Sequence, residues 1–362
     1  MRPADTLLPS PDPVQLLTPT GERAGDRPLP PPDRLVEAHR RMVLGRRFDL
    51  QATALTKQGR LAVYPSARGQ EACQIGAVMA LREDDWLFPT YRDSMALVAR
   101  GLPAGEVLTL LRGDWHCGYD PVARRTAPQC TPLATQTLHA VGFAHGEARR
   151  SRDTVALALI GDGATSEGDF HEALNFAGVF RAPVVFLVQN NRYAISVPLA
   201  KQTAAPTLAH KGVGYGVPAE QVDGNDVAAV LTVLDAAVAR ARDGGGPTLV
   251  EAHTYRLEPH TNADDATRYR AADEVAAWLD RDPIARVEAH LRAGGHLDDA
   301  GLDAVRADAE ALAADVRAEL ATDPRVDPRE IFDHVFAAPT PQLREQRAQL
   351  EAELAAASEE TR

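Results

Sequence analysis

Asp162 follows an apolar run, Val155 to Ile160, and stands between two glycines, Gly161 and Gly163. After Gly163 come 26 residues, and then a second apolar run, Val184 to Val188, has closed on Asn190-Asn191. A carboxylate, an amide oxygen, a backbone carbonyl and phosphate oxygens are the set a hard divalent cation such as Mg²⁺ takes. Asp162 supplies the first, Asn191 the second and the carbonyl of Tyr193 the third. Gly163 and Ala164 are expected to open a helix, with N–H groups free to face a phosphate. Ser166 with Asp169 fits a capping box for that helix. A bare Gly-Asp-Gly is more often an ordinary turn whose Asp only caps. The asparagine pair at the next strand tip is what favours a shared metal ion and a phosphate.

The same glycines invite a dinucleotide-binding reading. That fingerprint needs a third glycine at its sixth position, where this chain has Ser166, and an acidic residue after the second strand, where it has Gln189-Asn190-Asn191. An aspartate inside a phosphate loop also repels phosphates unless a cation intervenes. Nicotinamide and flavin sites are therefore disfavoured. Arg92, in Thr90-Tyr91-Arg92-Asp93, follows the run Trp86-Leu87-Phe88 and can bind a phosphate through both its nitrogens. Taken alone, it reads as an exposed arginine in an ion pair. His260 sits in the polar stretch 258–265, and a lone loop histidine reads as surface.

These residues share one kind of address. Strands are expected at Trp86-Leu87-Phe88, Val155 to Ile160, Val184 to Val188, around Val222, and from Thr248 to Tyr255. Helical spacing runs over Leu35 to Lys57, Glu71 to Leu81, Ser94 to Arg100, Leu133 to Arg150, Val227 to Arg242 and most of the chain beyond Asp273. Ala140, Gly142, Ala144 and Gly146 give one of these helices a small-residue side. Alternating strands and helices predict an α/β fold with a mainly parallel sheet. Sites in such folds lie at the carboxyl ends of strands, which is where Arg92, Asp162, Asn191 and His260 fall.

Residues 1–33 hold nine of the 26 prolines and predict a flexible arm, or one that packs on a partner subunit. Residues 34–335 are expected to form the cofactor-binding domain, and 336–362 a helical tail. The stretch 112–132 is aperiodic and reads as a long loop. A formal charge of −12 argues against nucleic-acid and anionic-membrane surfaces. No apolar run approaches the roughly 20 residues of a membrane span. Three cysteines, Cys73, Cys117 and Cys130, at no zinc-like spacing predict free thiols in a reducing cytoplasm.

Gly161-Asp162-Gly163, 26 residues, then Asn190-Asn191 resembles the thiamine diphosphate motif. The surrounding text, GDGATSEGDFHEALNFAGVFRAPVVFLVQNNRYAIS, is similar to the alpha subunits of the decarboxylating component of 2-oxoacid dehydrogenase complexes, from about residue 35 onwards. Pro132 to Gln136, Val222 to Asp226, Ala252 to Arg270 and Pro341 to Arg344 look like the branched-chain subgroup. The resemblance implies a thiamine diphosphate-binding fold. It implies Mg²⁺ on Asp162, Asn191 and the Tyr193 carbonyl, with the diphosphate on Tyr91, Arg92, Gly163 and Ala164. Thr131 and Leu133 would line the cofactor, and His260 would assist substrate binding and acyl transfer. Thr135 and Gln136 match a potassium site. The implied partners are a beta subunit in an α2β2 heterotetramer, which supplies the activating glutamate, and the lipoylated acyltransferase core of the complex. The implied reaction is oxidative decarboxylation of branched-chain 2-oxo acids. Pyruvate- or acetoin-type enzymes are the alternative within the family, and a non-enzymatic nucleotide-binding or structural module is the alternative outside it. Thr261 falls where the branched-chain enzymes carry a regulatory serine. Three departures stand out. Arg192 replaces a frequent glycine, Gln189 replaces an arginine of the branched-chain enzymes, and the 112–120 loop matches neither subgroup.

Overall fold

In the computed structural model, residues 7–114, 116–322 and 327–360 are described. Five parallel strands form the central sheet: β1 (Trp86–Phe88), β2 (Ala156–Gly161), β3 (Val184–Asn190), β6 (Ala219–Asp223) and β7 (Thr248–His253), in the order β1-β2-β3-β7-β6. A two-stranded hairpin, β4 (Tyr193–Ala194) and β5 (Val197–Pro198), follows the tip of β3. The helices are α1 (Pro32–Lys57), α2 (Glu71–Met79), α3 (Ser94–Ala99), α4 (Ala104–Arg112), α5 (Pro121–Arg124), α6 (Thr135–Arg149), α7 (Gly168–Phe180), α8 (Val227–Arg240), α9 (Ala272–Leu279), α10 (Pro283–Ala293), α11 (Asp299–Glu319) and α12 (Pro341–Glu360). The α/β class expected from the sequence is the one observed.

The central strands are apolar throughout because both faces are covered. Along β2, Leu157 and Leu159 join one core, with α1, α2 and α8. Ala158 and Ile160 join the other, with α6 and α7. On β3, Val185 and Leu187 point to the first layer, and Val184, Phe186 and Val188 to the second. This period of two fixes the register, since a one-residue slip would exchange the two faces. Register in turn aligns the tips: Gly161 pairs with Gln189, and Asn190 with His253.

Several expectations need correction. The Pro-rich arm is not free where it is described. Val14 forms a parallel bridge to Val222 at the sheet edge, and Leu16 and Leu17 are buried. Their two N–H groups donate to Asp226 Oδ2, both at 2.7 Å. Asp226 Oδ1 meanwhile caps α8 through the N–H groups of Ala228 and Ala229. One carboxylate thus starts a helix and pins the arm over the edge strand β6. The small residues of α6 do not share a face. Ala140 and Ala144 are buried, whereas a Cβ at Gly142 would meet open space. Residues two apart on a helix point in different directions. Helix α4 was not read from the sequence, yet Val107, Leu108 and Leu111 make a short inward stripe. It ends at Gly113, whose φ of +100° suits glycine. The 112–132 stretch holds α5 and two isolated bridges, Leu87 to Thr126 and Thr90 to Cys130. Of the 112–120 loop, Trp115 lies outside the described residues. No described helix is long and apolar enough to cross a membrane.

Candidate active site

Strand β2 delivers Asp162, only 1% exposed, to the carboxyl edge of the sheet. Burial pushes its carboxyl pKa up, and the Gln202 side chain, donating to Oδ2 at 2.9 Å, works against that. Gly163–Ser166 then forms a 3₁₀ turn, and α7 begins only at Gly168. The expected helix start at Gly163 is therefore displaced. The Ser166–Asp169 capping box is not made either, because no side chain caps α7 and Asp169 instead accepts from the Thr135 hydroxyl at 2.9 Å.

Strand β3 delivers two asparagines with different duties. Asn190 is structural: its Nδ2 donates to buried Glu251 at 2.7 Å, and its Oδ1 accepts from the Arg192 N–H. Arg192 has φ +78° and Ile195 φ +55°. The left-handed turn at 192 is a conformation glycine would adopt without strain. The turn folds Tyr193 back over the tip, so that Asn191 Oδ1 lies 3.1 Å from Tyr193 O and 3.3 Å from Asp162 Oδ1. Three oxygens face one another, and the hydrogen bonds they accept from outside the cage are long: Tyr193 N–H to Asn191 Oδ1 at 3.3 Å and Arg256 Nη1 to Tyr193 O at 3.4 Å. A cation is the species such a cage fits. Among the described residues, no group of three or more His, Cys, Asp or Glu could hold a metal. A metal here has one carboxylate and must draw further oxygens from a ligand.

The tip after β1 is rigid. Asp93 is fully buried and accepts from the Thr90 N–H (2.7 Å), the Thr90 hydroxyl (2.6 Å) and Gln189 Nε2 (2.7 Å). That turns Arg92 inward, to 6% exposure. Its Nη1 donates to Ser66 O at 2.9 Å, and Nη2 lies 3.0 Å from His260 Nδ1. Arg256 Nη1 approaches the same nitrogen at 3.3 Å. Guanidinium groups only donate, so Nδ1 is the acceptor and the His260 proton sits on Nε2. Burial, then Arg92 and then Arg256 lower the His260 pKa to about 4, although Asp264 pulls the other way. His260 is thus a neutral hydrogen-bond donor through the ordinary pH range.

One cleft brings these tips together. Tyr91, Arg92, Leu133, Asp162, Gly163, Ala164, Asn191, Tyr193 and His260 all line it. Thr131 does not; it lies exposed on the approach to α6. Thr135 and Gln136, matched to a potassium site, lie at the start of α6. Gln136 Nε2 donates to Leu159 O at 2.9 Å, and its buried Oε1 has no hydrogen-bond partner. Two further polar side chains that line the cleft, Gln70 and Arg256, have no place in the sequence reading. Gln70 precedes α2 and gives no signal of its own. Arg256 follows β7, is 1% exposed, and holds the β4–β5 hairpin through Tyr193 O (3.4 Å) and Ile195 O (2.8 Å). Gln189, the departure noted above, bridges Asp93 and Gln70.

The family model described as "Dehydrogenase E1 component" matches residues 39–328. The chain is 49% identical over 348 residues to 3-methyl-2-oxobutanoate dehydrogenase subunit alpha of Mycobacterium tuberculosis, covering 95% of each chain. It is 41% identical over 285 residues to the pyruvate dehydrogenase E1 component subunit alpha of Staphylococcus aureus, covering 78% of this chain and 77% of that one. The Staphylococcus epidermidis protein of the same description is 40% identical over the same length.

Proposed function

We propose that this chain, which belongs to the dehydrogenase E1 component family, is the alpha half of a 2-oxoacid dehydrogenase acting on branched-chain 2-oxo acids. The family is thiamine diphosphate-dependent. The observation that carries the site assignment is the convergence of three acceptor oxygens, Asp162 Oδ1, Asn191 Oδ1 and Tyr193 O, beside the inward guanidinium of Arg92. In this reading the cage holds Mg²⁺, and the cation and Arg92 together hold the diphosphate. Gly163 keeps the approach open, since a Cβ there would already lie 2.7 Å from Ala194 Cβ. The orphaned Gln136 Oε1 supports a K⁺ ligand beside Thr135.

When bound, thiamine diphosphate supplies the carbon nucleophile that adds to the 2-oxo carbon and takes up the electrons as carbon dioxide leaves. This chain's own residues do the rest of what is assigned here. Arg92 and Arg256 fix the His260 ring and keep its proton on Nε2. That N–H can donate a hydrogen bond to the substrate's oxygens while the ring stays neutral. The free volume of the cleft is about 150 Å³, below the usual size of a whole small-molecule site. This supports a second chain closing over the cofactor: a beta subunit in an α2β2 heterotetramer, which then passes the acyl group to lipoyl groups of an acyltransferase core. The branched-chain preference rests on the greater identity and coverage of the mycobacterial relative.

The test uses the assembled alpha and beta subunits. Calorimetric titration with thiamine diphosphate should show binding that requires Mg²⁺ and disappears with EDTA. With a lipoylated acceptor domain, 3-methyl-2-oxobutanoate should give a higher kcat/KM than pyruvate or acetoin. Metal-independent binding would refute the cage, and a pyruvate preference would move the chain to the other subgroup.

A further inference from the structure

Asn191 can contribute its oxygen to the cage only if its amide faces the right way, and a side-chain amide can turn by half a rotation. In the absence of a cation the alternative gains two hydrogen bonds, and the Tyr193 N–H, donating to Oδ1 at only 3.3 Å, opposes it weakly. Turned over, Nδ2 would donate to Tyr193 O at 3.1 Å and to Asp162 Oδ1 at 3.3 Å. The cage would then be closed by its own hydrogen bonds. Something must hold the amide against that collapse.

A chain of side chains does so. Asp93, as a carboxylate, only accepts, so Gln189 must turn Nε2 towards it, at 2.7 Å. Gln189 Oε1 then faces Gln70 and accepts from its Nε2 at 2.9 Å. Gln70 Oε1 is left facing Asn191, whose Nδ2 donates to it at 3.1 Å. Asn191 Oδ1 is thereby directed at Asp162 and Tyr193 O. Every member is at least nine-tenths buried: Asp93 0%, Gln189 2%, Gln70 2% and Asn191 6% exposed. Water therefore cannot substitute freely for a missing partner, and turning one amide would set two oxygens or two N–H groups against each other. Asp93 is itself held by the Thr90 N–H and hydroxyl, which belong to the tip that aims Arg92.

We infer that Asp93, Gln189 and Gln70 form a one-way hydrogen-bond relay whose task is to present the Asn191 amide oxygen to the divalent cation. The inference rests on the cation reading proposed above. Gln70 and Gln189 line the cleft, and in this role they are positioning residues that act on the cation through Asn191. The relay ties the phosphate-binding tip after β1 to the metal-binding tip after β3. The carboxylate that sets Arg92 in place also sets the direction of the metal's amide ligand.

The test is the Mg²⁺ concentration giving half-maximal thiamine diphosphate binding in the assembled alpha–beta protein, measured by calorimetry at fixed cofactor. Gln70→Met keeps the length of the side chain but removes the acceptor for Asn191 Nδ2. The half-saturating Mg²⁺ concentration should rise about 10- to 100-fold, the usual effect of losing an outer partner of a metal ligand. Affinity for the cofactor should recover at high Mg²⁺. Gln189→Met leaves Gln70 free to turn and should shift the concentration in the same direction by a smaller factor. Gln189→Glu, sharing one proton with Asp93, can still donate to Asp93 and accept from Gln70, and should stay within about threefold of wild type. A merely structural role would lower thermal stability in both Met variants and leave the Mg²⁺ requirement unmoved. Mg²⁺-dependent wild type with an unmoved Gln70→Met overturns the relay alone; if that variant does not assemble, an unmoved Gln189→Met does so. A wild type that binds without Mg²⁺ overturns the cation reading, and the relay with it.

Discussion

Replacing Arg92 by glutamine tests the phosphate end of the site most directly. The guanidinium is buried, fixed by Ser66 O at 2.9 Å and His260 Nδ1 at 3.0 Å, and lines the cleft. Charge-assisted hydrogen bonds contribute about 1.5–3 kcal/mol each. A guanidinium engaging a phosphate through two of them stands to lose about 3–6 kcal/mol. The cation shares the load, so the lower end applies, and at about 1.4 kcal/mol per tenfold that is roughly a 100-fold rise in Kd. Arg92→Lys keeps the charge and loses the planar fork, so its cost should be nearer tenfold. The assay is calorimetry on the assembled protein in saturating Mg²⁺, with thiamine diphosphate and with inorganic diphosphate as separate titrants. Both should weaken by a similar factor, because the lost contact is to phosphate alone. Binding of either titrant by Arg92→Gln within threefold of wild type would refute the assignment.

The His260 ring makes a second prediction. Its pKa is lowered to about 4, so ¹⁵N-histidine NMR of the cofactor-free protein should show one ring neutral and protonated on Nε2 down to about pH 5. A His260 titration near 6.5 would contradict the two-arginine geometry. The sign for stability follows from linkage. The unfolded ring binds a proton near 6.5 and the folded ring only near 4, so this contribution is complete above about 6.5 and is lost as pH falls through that window. Comparing the pH dependence of thermal unfolding of wild type with His260→Gln checks this, since the variant should lack that component. Gly163→Ala puts a Cβ 2.7 Å from Ala194 Cβ and should force the 3₁₀ turn and the β4–β5 hairpin apart. Overpacking of this kind costs about 1–3 kcal/mol. A lower unfolding midpoint together with weaker Mg²⁺-dependent cofactor binding is expected, and an unchanged titration would show that the turn has slack.

The strands were legible because the sheet's demands are local. A strand covered on both faces is a continuous apolar run, and its polar tip marks where it leaves the core, so β2 and β3 stand out in the sequence with their ends. The arm before α1 was not legible in the same way. Its proline content suggests a free segment, and the residues that decide otherwise, Leu16 and Leu17, are a short apolar pair. What holds them is Asp226, more than 200 positions away, and no local pattern announces that pairing. Helix α4 is hidden for a different reason: at nine residues it offers only about two and a half turns of periodicity.

In the candidate site the division falls between groups that act on a ligand and groups that act on each other. Asp162 and Asn191 close apolar runs with a carboxylate and an amide, so residue type and position suffice to suggest them, whereas Arg92 and His260 taken alone read as surface residues and gain their roles from the family resemblance. Gln70, Gln189 and Arg256 are defined by direction. An amide has no preferred orientation until a carboxylate such as Asp93 fixes one end, and Gln189 reads in the sequence only as an arginine missing from the phosphate site. The structure places that glutamine between Asp93 and Gln70, at 2.7 and 2.9 Å. An arginine there would donate at both ends. Gln70 would then have to turn its oxygen towards position 189 and its nitrogen towards Asn191, and Asn191 would turn its own oxygen away from Asp162. With glutamine at 70, a glutamine at 189 is thus the choice that keeps the amide oxygen of Asn191 facing the cage.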